Sequence, residues 1–162
     1  MAKKQKRKKK VNARKLLSRL HKKADAAISL YVRAVTKAEF GGKCSICLVN
    51  PVENCFHFVR RRRKILRWDL RNLTGACHRC NYLEYRDPDP SRAWYIRRHG
   101  VEQYLAIVDE SAKAFEPTVE YLQAIVDRFT SELESMKRFS EPAQEAPEPP
   151  EDPVAPEKLS EA

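Results

Sequence analysis

Two cysteine pairs constrain this chain more than anything else in it. Cys44 and Cys47 are separated by two residues, as are Cys77 and Cys80, and 29 residues lie between the pairs. Two thiolates so spaced can face one ion from a tight turn, and two such turns complete a tetrahedral site. The spacing therefore predicts a structural Zn²⁺ held by Cys44, Cys47, Cys77 and Cys80, with the intervening chain folded back on itself. Buried free thiols or a redox pair are the alternatives. In a reducing cytosol, the location expected here, metal is favoured over disulfide. The fifth cysteine, Cys55, is read as a small buried hydrophobe.

Charge locates what surrounds the staple. The 162 residues carry 32 Lys+Arg against 22 Asp+Glu, a formal net charge of +10. Residues 1–24 hold twelve of the cations and no acid, whereas residues 141–162 hold seven acids, one lysine and six of the ten prolines. Such a tail has too little apolar surface to offset the entropy of ordering it. The expected organisation is a basic disordered arm over 1–11, a helix over 12–40, a core with helical extension over 41–114, a helix over 115–140 and an acidic disordered tail over 141–162. No apolar run approaches the roughly 20 residues that span a bilayer, so no membrane partner is expected. The lysine block Lys3 to Lys10 has no apolar stretch behind it, which excludes a secretory signal as an expectation.

Helical period appears on both sides of the cysteine segment. Leu16, Leu17, Leu20, Ala24, Ala27, Ile28, Tyr31, Val32 and Val35 recur every three or four positions before Gly41-Gly42. Short helices are expected from Asp89 to Arg98 and from Val101 to about Ala114. A third follows Pro117, with Val119, Leu122, Val126, Phe129, Leu133 and Met136 in 3,4 steps. Core packing is the favoured reading of these stripes. The last also suits a seam between helices, so a homodimer through the helical arms is one expectation and packing on the Leu16–Val35 helix the other.

The aperiodic stretch from Lys43 to Arg86 predicts two short strands, Cys55 to Val59 and Ile65 to Trp68, then a helix beginning near Cys77. A hairpin followed by a helix, tied by one zinc, would bring His57, Asn72 and Asn81 together. The fold class expected is α+β, a small zinc-stapled core with flanking helical arms and disordered termini.

The spacing His57-x14-Asn72-x8-Asn81 resembles the HNH, or ββα-metal, nucleases. His57-Phe-Val-Arg60, Arg67-Trp-Asp-Leu-Arg-Asn72 and Cys77-His-Arg-Cys80-Asn81 are similar to the phage NinG-type recombination nucleases. Cys77-x2-Cys80-Asn81-x2-Glu84, with its upstream pair, is also similar to the phage endonuclease VII family of junction resolvases. The resemblance covers about Cys44 to Val108. It implies a ββα-metal core and a Mg²⁺- or Mn²⁺-dependent endonuclease acting on DNA, on branched or recombination intermediates such as Holliday junctions, in the host cytoplasm if phage-encoded. His57 would be the general base, Asn72 would hold hairpin and imidazole in register, Asn81 would coordinate the catalytic cation and Glu84 would hold that cation or its water. Phe56 departs from the pattern, because many such enzymes place a second metal ligand directly before the base. Two alternatives follow: a zinc-dependent DNA-binding protein without catalysis, and a nuclease accessory to phage DNA packaging.

Nucleic acid follows from charge independently of the family. Arg60, Arg61, Arg62, Arg63 and Lys64 form an unbroken basic run, with Arg67 and Arg71 close behind. Such a run supplies phosphate contacts without sequence information.

Overall fold

The structure, a computed structural model, describes residues 2–83 and 86–140, with side chains for 12–83 and 86–139. It is α+β: five helices and one two-stranded antiparallel sheet. A long helix α1 (Ala2–Glu39) is followed by strand β1 (Asn54–His57), strand β2 (Leu73–Ala76) and the short helix α2 (His78–Leu83). Helices α3 (Asp89–His99), α4 (Val101–Glu110) and α5 (Val119–Ser140) complete the described residues. Among the described residues no helix is long and apolar enough to cross a membrane. The 141–162 tail expectation lies outside the described residues.

Helix α1 starts at Ala2, not Asn12, so the backbone of the lysine block is helical where a disordered arm was expected. Ala, Lys, Gln and Arg are strong helix formers, no Pro or Gly interrupts them, and extending an existing helix gains a hydrogen bond per residue. The helix ends where Gly41 and Gly42 take positive φ (57° and 81°) and the Gly42 amide donates to the Lys37 carbonyl.

The hairpin divides two packing layers. On one side, Leu20, Ala24, Ile28 and Val32 of α1 bury against Leu122 and Phe129 of α5, with Trp68 and Leu73 closing the cluster. Val119, Leu122, Val126 and Phe129 of the α5 stripe thus pack with α1 within the chain. Of the two pairings expected for this stripe, packing on the Leu16–Val35 helix is one that the chain makes. On the other side, Phe56 and Ala76 pack with Cys44 and Cys77. Strand alternation produces this split: Phe56 pairs with Thr74 on the cysteine side, while its neighbour Cys55 packs toward α1.

Helix α1 lies close on β2. The Thr36 hydroxyl donates to the Val32 carbonyl and accepts from the Gly75 amide at 3.0 Å. A Cβ on Gly75 would stand 2.5 Å from Thr36 Oγ1 and 2.7 Å from Val52 Cγ2. Only glycine fits this contact.

The second strand is Leu73–Ala76, not Ile65–Trp68, which corrects the expected pairing. Residues 64–66 form a single 3₁₀ turn, and Leu66 and Trp68 are buried as anchors of the connection between the strands. Below that connection, Leu66, Tyr95 and Ile107 form a third cluster with Phe58, Trp94 and Tyr104, seating α3 and α4. Helix α4 ends at Glu110, four residues short of the expected Ala114.

Candidate metal centre and the adjoining cavity

The four sulfurs of Cys44, Cys47, Cys77 and Cys80 lie within 4.8 Å of one another. A cluster of that donor type and size can hold a structural metal such as zinc. The first turn is built by backbone bonds: Cys44 N to Asn50 O at 2.8 Å and Leu48 N to Cys44 O at 2.9 Å, with Leu48 in the left-handed region at φ 56°. The second pair sits where β2 runs into α2, so the Cys77–Cys80 spacing becomes one helical turn. Amides aim at the sulfurs: Cys80 N donates to Cys77 Sγ at 3.4 Å, and the Asn50 side chain donates to the same sulfur at 3.7 Å.

The thiols differ. Burial pushes Cys44 and Cys80 up, the latter further raised by the neighbouring thiols. Burial acts upward on Cys47 too, but amides of Asn50 and Val49 outweigh it and draw the thiol down to about 6. Asn50 was not singled out in the sequence; its position three residues after Cys47 is the only signal that could have found it.

Across the hairpin lies a cavity of about 540 Å³. Asp25, Ile28, Ser29 and Arg33 of α1 form one wall, Glu53 to His57 another, and Arg60, Arg61, Arg62 and Asn81 the rim. His57 and Asn81, read from the sequence as partners, thus line one space. His57 ends β1, and its Nε2 lies 3.1 Å from the Arg67 carbonyl oxygen. A carbonyl only accepts, so Nε2 carries the hydrogen and Nδ1 of the neutral ring is bare. Burial pushes the His57 pKa down to about 4; the Arg67 carbonyl opposes the fall and the Arg61 guanidinium adds to it. The imidazole is neutral at pH 7.

Asn72 does not reach the cavity. It is fully buried and closes the 58–72 connection: Oδ1 accepts from Val59 N at 2.6 Å, and Nδ2 donates to Val59 O at 2.9 Å and Leu66 O at 3.0 Å. Asn81 is half-buried on α2, and its side-chain amide makes no hydrogen bond among the described residues. Glu84 lies outside the described residues.

The basic run divides. Arg61, Arg62 and Arg63 are exposed and form no ion pair among the described residues. Lys64, Arg67 and Arg71, read from the sequence with the basic run, pair with carboxylates of the chain. Lys64 pairs with Glu116 at 2.6 Å, Arg67 with Asp25 at 2.5 Å, and Arg71 with Asp69 at 2.5 Å and Glu110 at 3.0 Å. Asp25, Glu110 and Glu116 come from distant segments that linear spacing does not reveal, whereas Asp69 lies two residues from Arg71. Asp25 was also missed, although it is the only acid among the first 38 residues.

Hard side-chain oxygen donors around the cavity are the amides of Asn54 and Asn81, the Ser29 hydroxyl and the carboxylates of Glu53 and Asp25. Asp25 is committed to Arg67 and Trp68, and Glu53 Oε2 accepts from His78 N at 2.8 Å. Phe56 is 1% exposed among Cys44, Ala76 and Cys77 and offers no donor. A cation such as Mg²⁺, which keeps most of its waters and takes one or two protein ligands, fits this sparse set through Asn81. No family model matches the chain, and no curated protein or solved structure matches it either.

Proposed function

We propose that the chain is an HNH-type endonuclease that hydrolyses DNA phosphodiesters with a divalent cation, on a ββα core stapled by zinc. The observation that carries the reading is His57. Its Nε2–H is spent on the Arg67 carbonyl, its bare Nδ1 belongs to a ring lining a cavity with Asn81, and exposed arginines stand at the rim. That is the state and setting a general base needs to take a proton from an attacking water. Arg61 and Arg62 would seat the phosphate backbone, and Asn72 keeps the connection carrying them closed on β1. A pKa of about 4 keeps the ring neutral at pH 7 but makes it a weaker base than an ordinary imidazole, so the transfer would depend on a water acidified by a bound cation, the chemistry Mg²⁺ or Mn²⁺ would supply beside Asn81. A branched or recombination intermediate as substrate rests on the resemblance to NinG-type nucleases and endonuclease VII.

A second reading, a zinc-dependent DNA-binding protein without catalysis, is favoured by one observation: Phe56 stands where a second metal ligand is usual, and it is core. The experiment that separates them incubates zinc-loaded protein with supercoiled plasmid and a synthetic four-way junction, with Mg²⁺ or Mn²⁺. Cation-dependent cleavage that falls 10²- to 10⁴-fold in His57→Ala, with DNA binding retained, is the expected outcome. Binding without cleavage in the wild type selects the second reading.

A further inference from the structure

We propose that Asp25, on α1 and outside the segment that resembles nucleases, is a positioning residue for His57; its catalytic meaning rests on the nuclease reading above, its geometry does not. The carbonyl that accepts from His57 Nε2 belongs to the peptide link between Arg67 and Trp68. The side chains on both sides of that link end on one carboxylate. Arg67 Nε reaches Asp25 Oδ1 at 2.9 Å and its terminal nitrogen reaches Oδ2 at 2.5 Å. Trp68 Nε1 donates to Oδ1 at 3.0 Å.

A bidentate fork fixes the guanidinium plane as well as its distance. The indole is fixed as firmly, being 3% exposed with its ring 5.3 Å from His21 and 6.1 Å from Tyr121. The Arg67–Trp68 peptide is thus pinned at both ends, and turning its carbonyl away from His57 would break bonds at Asp25. The orientation matters because the carbonyl selects a tautomer. With it in place Nε2 keeps the hydrogen and Nδ1 is bare; without it either nitrogen can carry the hydrogen, and the accepting atom is no longer fixed at Nδ1. Asp25 also lines the cavity beside His57, so α1 both closes the site and sets its base.

The test uses zinc-loaded, full-length protein. Imidazole ¹⁵N spectra of His57 at pH 7 without DNA should show the Nε2-protonated form in the wild type and a mixture of tautomers in Asp25→Asn. In junction or plasmid cleavage, kcat should fall on the order of 10- to 100-fold while KM stays within about twofold. Asp25→Glu, which keeps the charge and the fork, should recover part of the loss. A folded Asp25→Asn with unchanged tautomer and unchanged kcat overturns the proposal and leaves a plain anchor between α1 and the hairpin. Should Asp25→Asn not fold, Arg67→Lys combined with Trp68→Phe removes the fork and the indole donor but keeps the carbonyl, and an unmoved tautomer in that folded variant overturns the proposal equally. If no protein cleaves DNA yet the tautomer moves, the positioning stands and the nuclease reading fails.

Discussion

The two faces of one four-residue strand, β1, are built on different chemistry. Phe56 faces sulfur: four cysteines, apolar neighbours and amides aimed at thiols, a region with nothing to do except hold together. Cys55 and His57 belong to the other side, where α1, exposed arginines and a half-buried asparagine surround a cavity. A hairpin this short buries too little surface to stand alone. The α1 side supports it with the α1–α5 cluster, and the sulfur side would add the free energy of a bound metal.

The comparison breaks first at the metal. Stripping zinc from the loaded protein with a strong chelator should remove a folding contribution on the order of 10 kcal/mol. Circular dichroism should show loss of structure together with loss of DNA binding, and Cys44→Ser or Cys80→Ser should behave alike. An unchanged melting profile after chelation would mean that the helices hold the hairpin unaided.

A smaller effect is expected from Asn72→Ala. Its amide makes three hydrogen bonds inside the 58–72 connection, and removal strands Val59 N, Val59 O and Leu66 O in a buried place. A loss of about 2–4 kcal/mol in denaturant unfolding is expected, with the zinc still bound. Cleavage should fall as well, because the residues it holds carry the rim arginines.

Acid should then divide the faces. The His57 pKa is about 4 in the fold against an ordinary 6.5, so the unfolded chain binds the proton first as pH falls. Its contribution is fully present above about pH 6.5 and is lost on acidification toward about 4, amounting to at most about 3 kcal/mol. His57→Gln should flatten unfolding free energy over that window relative to the wild type. Parallel curves would show that the imidazole is no more buried than a surface histidine.

The mildest change concerns the rim. Arg61→Ala and Arg62→Ala should each weaken DNA binding uniformly across sequences and reduce the slope of log affinity against log salt by about 1. Arg71→Ala, whose guanidinium is held by Asp69 and Glu110, should leave that slope in place. Equal effects from all three would return Arg71 to the DNA-binding set.

Local chemistry was legible in the sequence and distant partnership was not. The cysteine quartet follows from spacing, because a two-residue gap is itself the geometry of a metal turn. The helices of the second half were bounded within a few residues by Pro, Gly and period. The second strand was misplaced: Ile65 to Trp68 has the more strand-like composition, yet Leu73-Thr-Gly-Ala pairs with β1 because Gly75 admits Thr36 of α1. That contact spans 39 positions and leaves no mark except one glycine. The bonds of Arg67 to Asp25 and of Lys64 to Glu116 were hidden for the same reason.

The pairing of α1 with α5 carries a consequence for how the chain is born. Tyr31 meets Phe129, with ring centres 5.1 Å apart across nearly the whole described sequence. A ribosome adding about 5–20 residues per second needs on the order of 5–20 s to make the segment between them. Throughout that interval the stripe Leu20, Ala24, Ile28 and Val32 has been synthesised and its partner helix has not. All four cysteines precede α5 in the chain, so a metal held by them would be able to fold the hairpin beneath that waiting stripe before its partner helix exists.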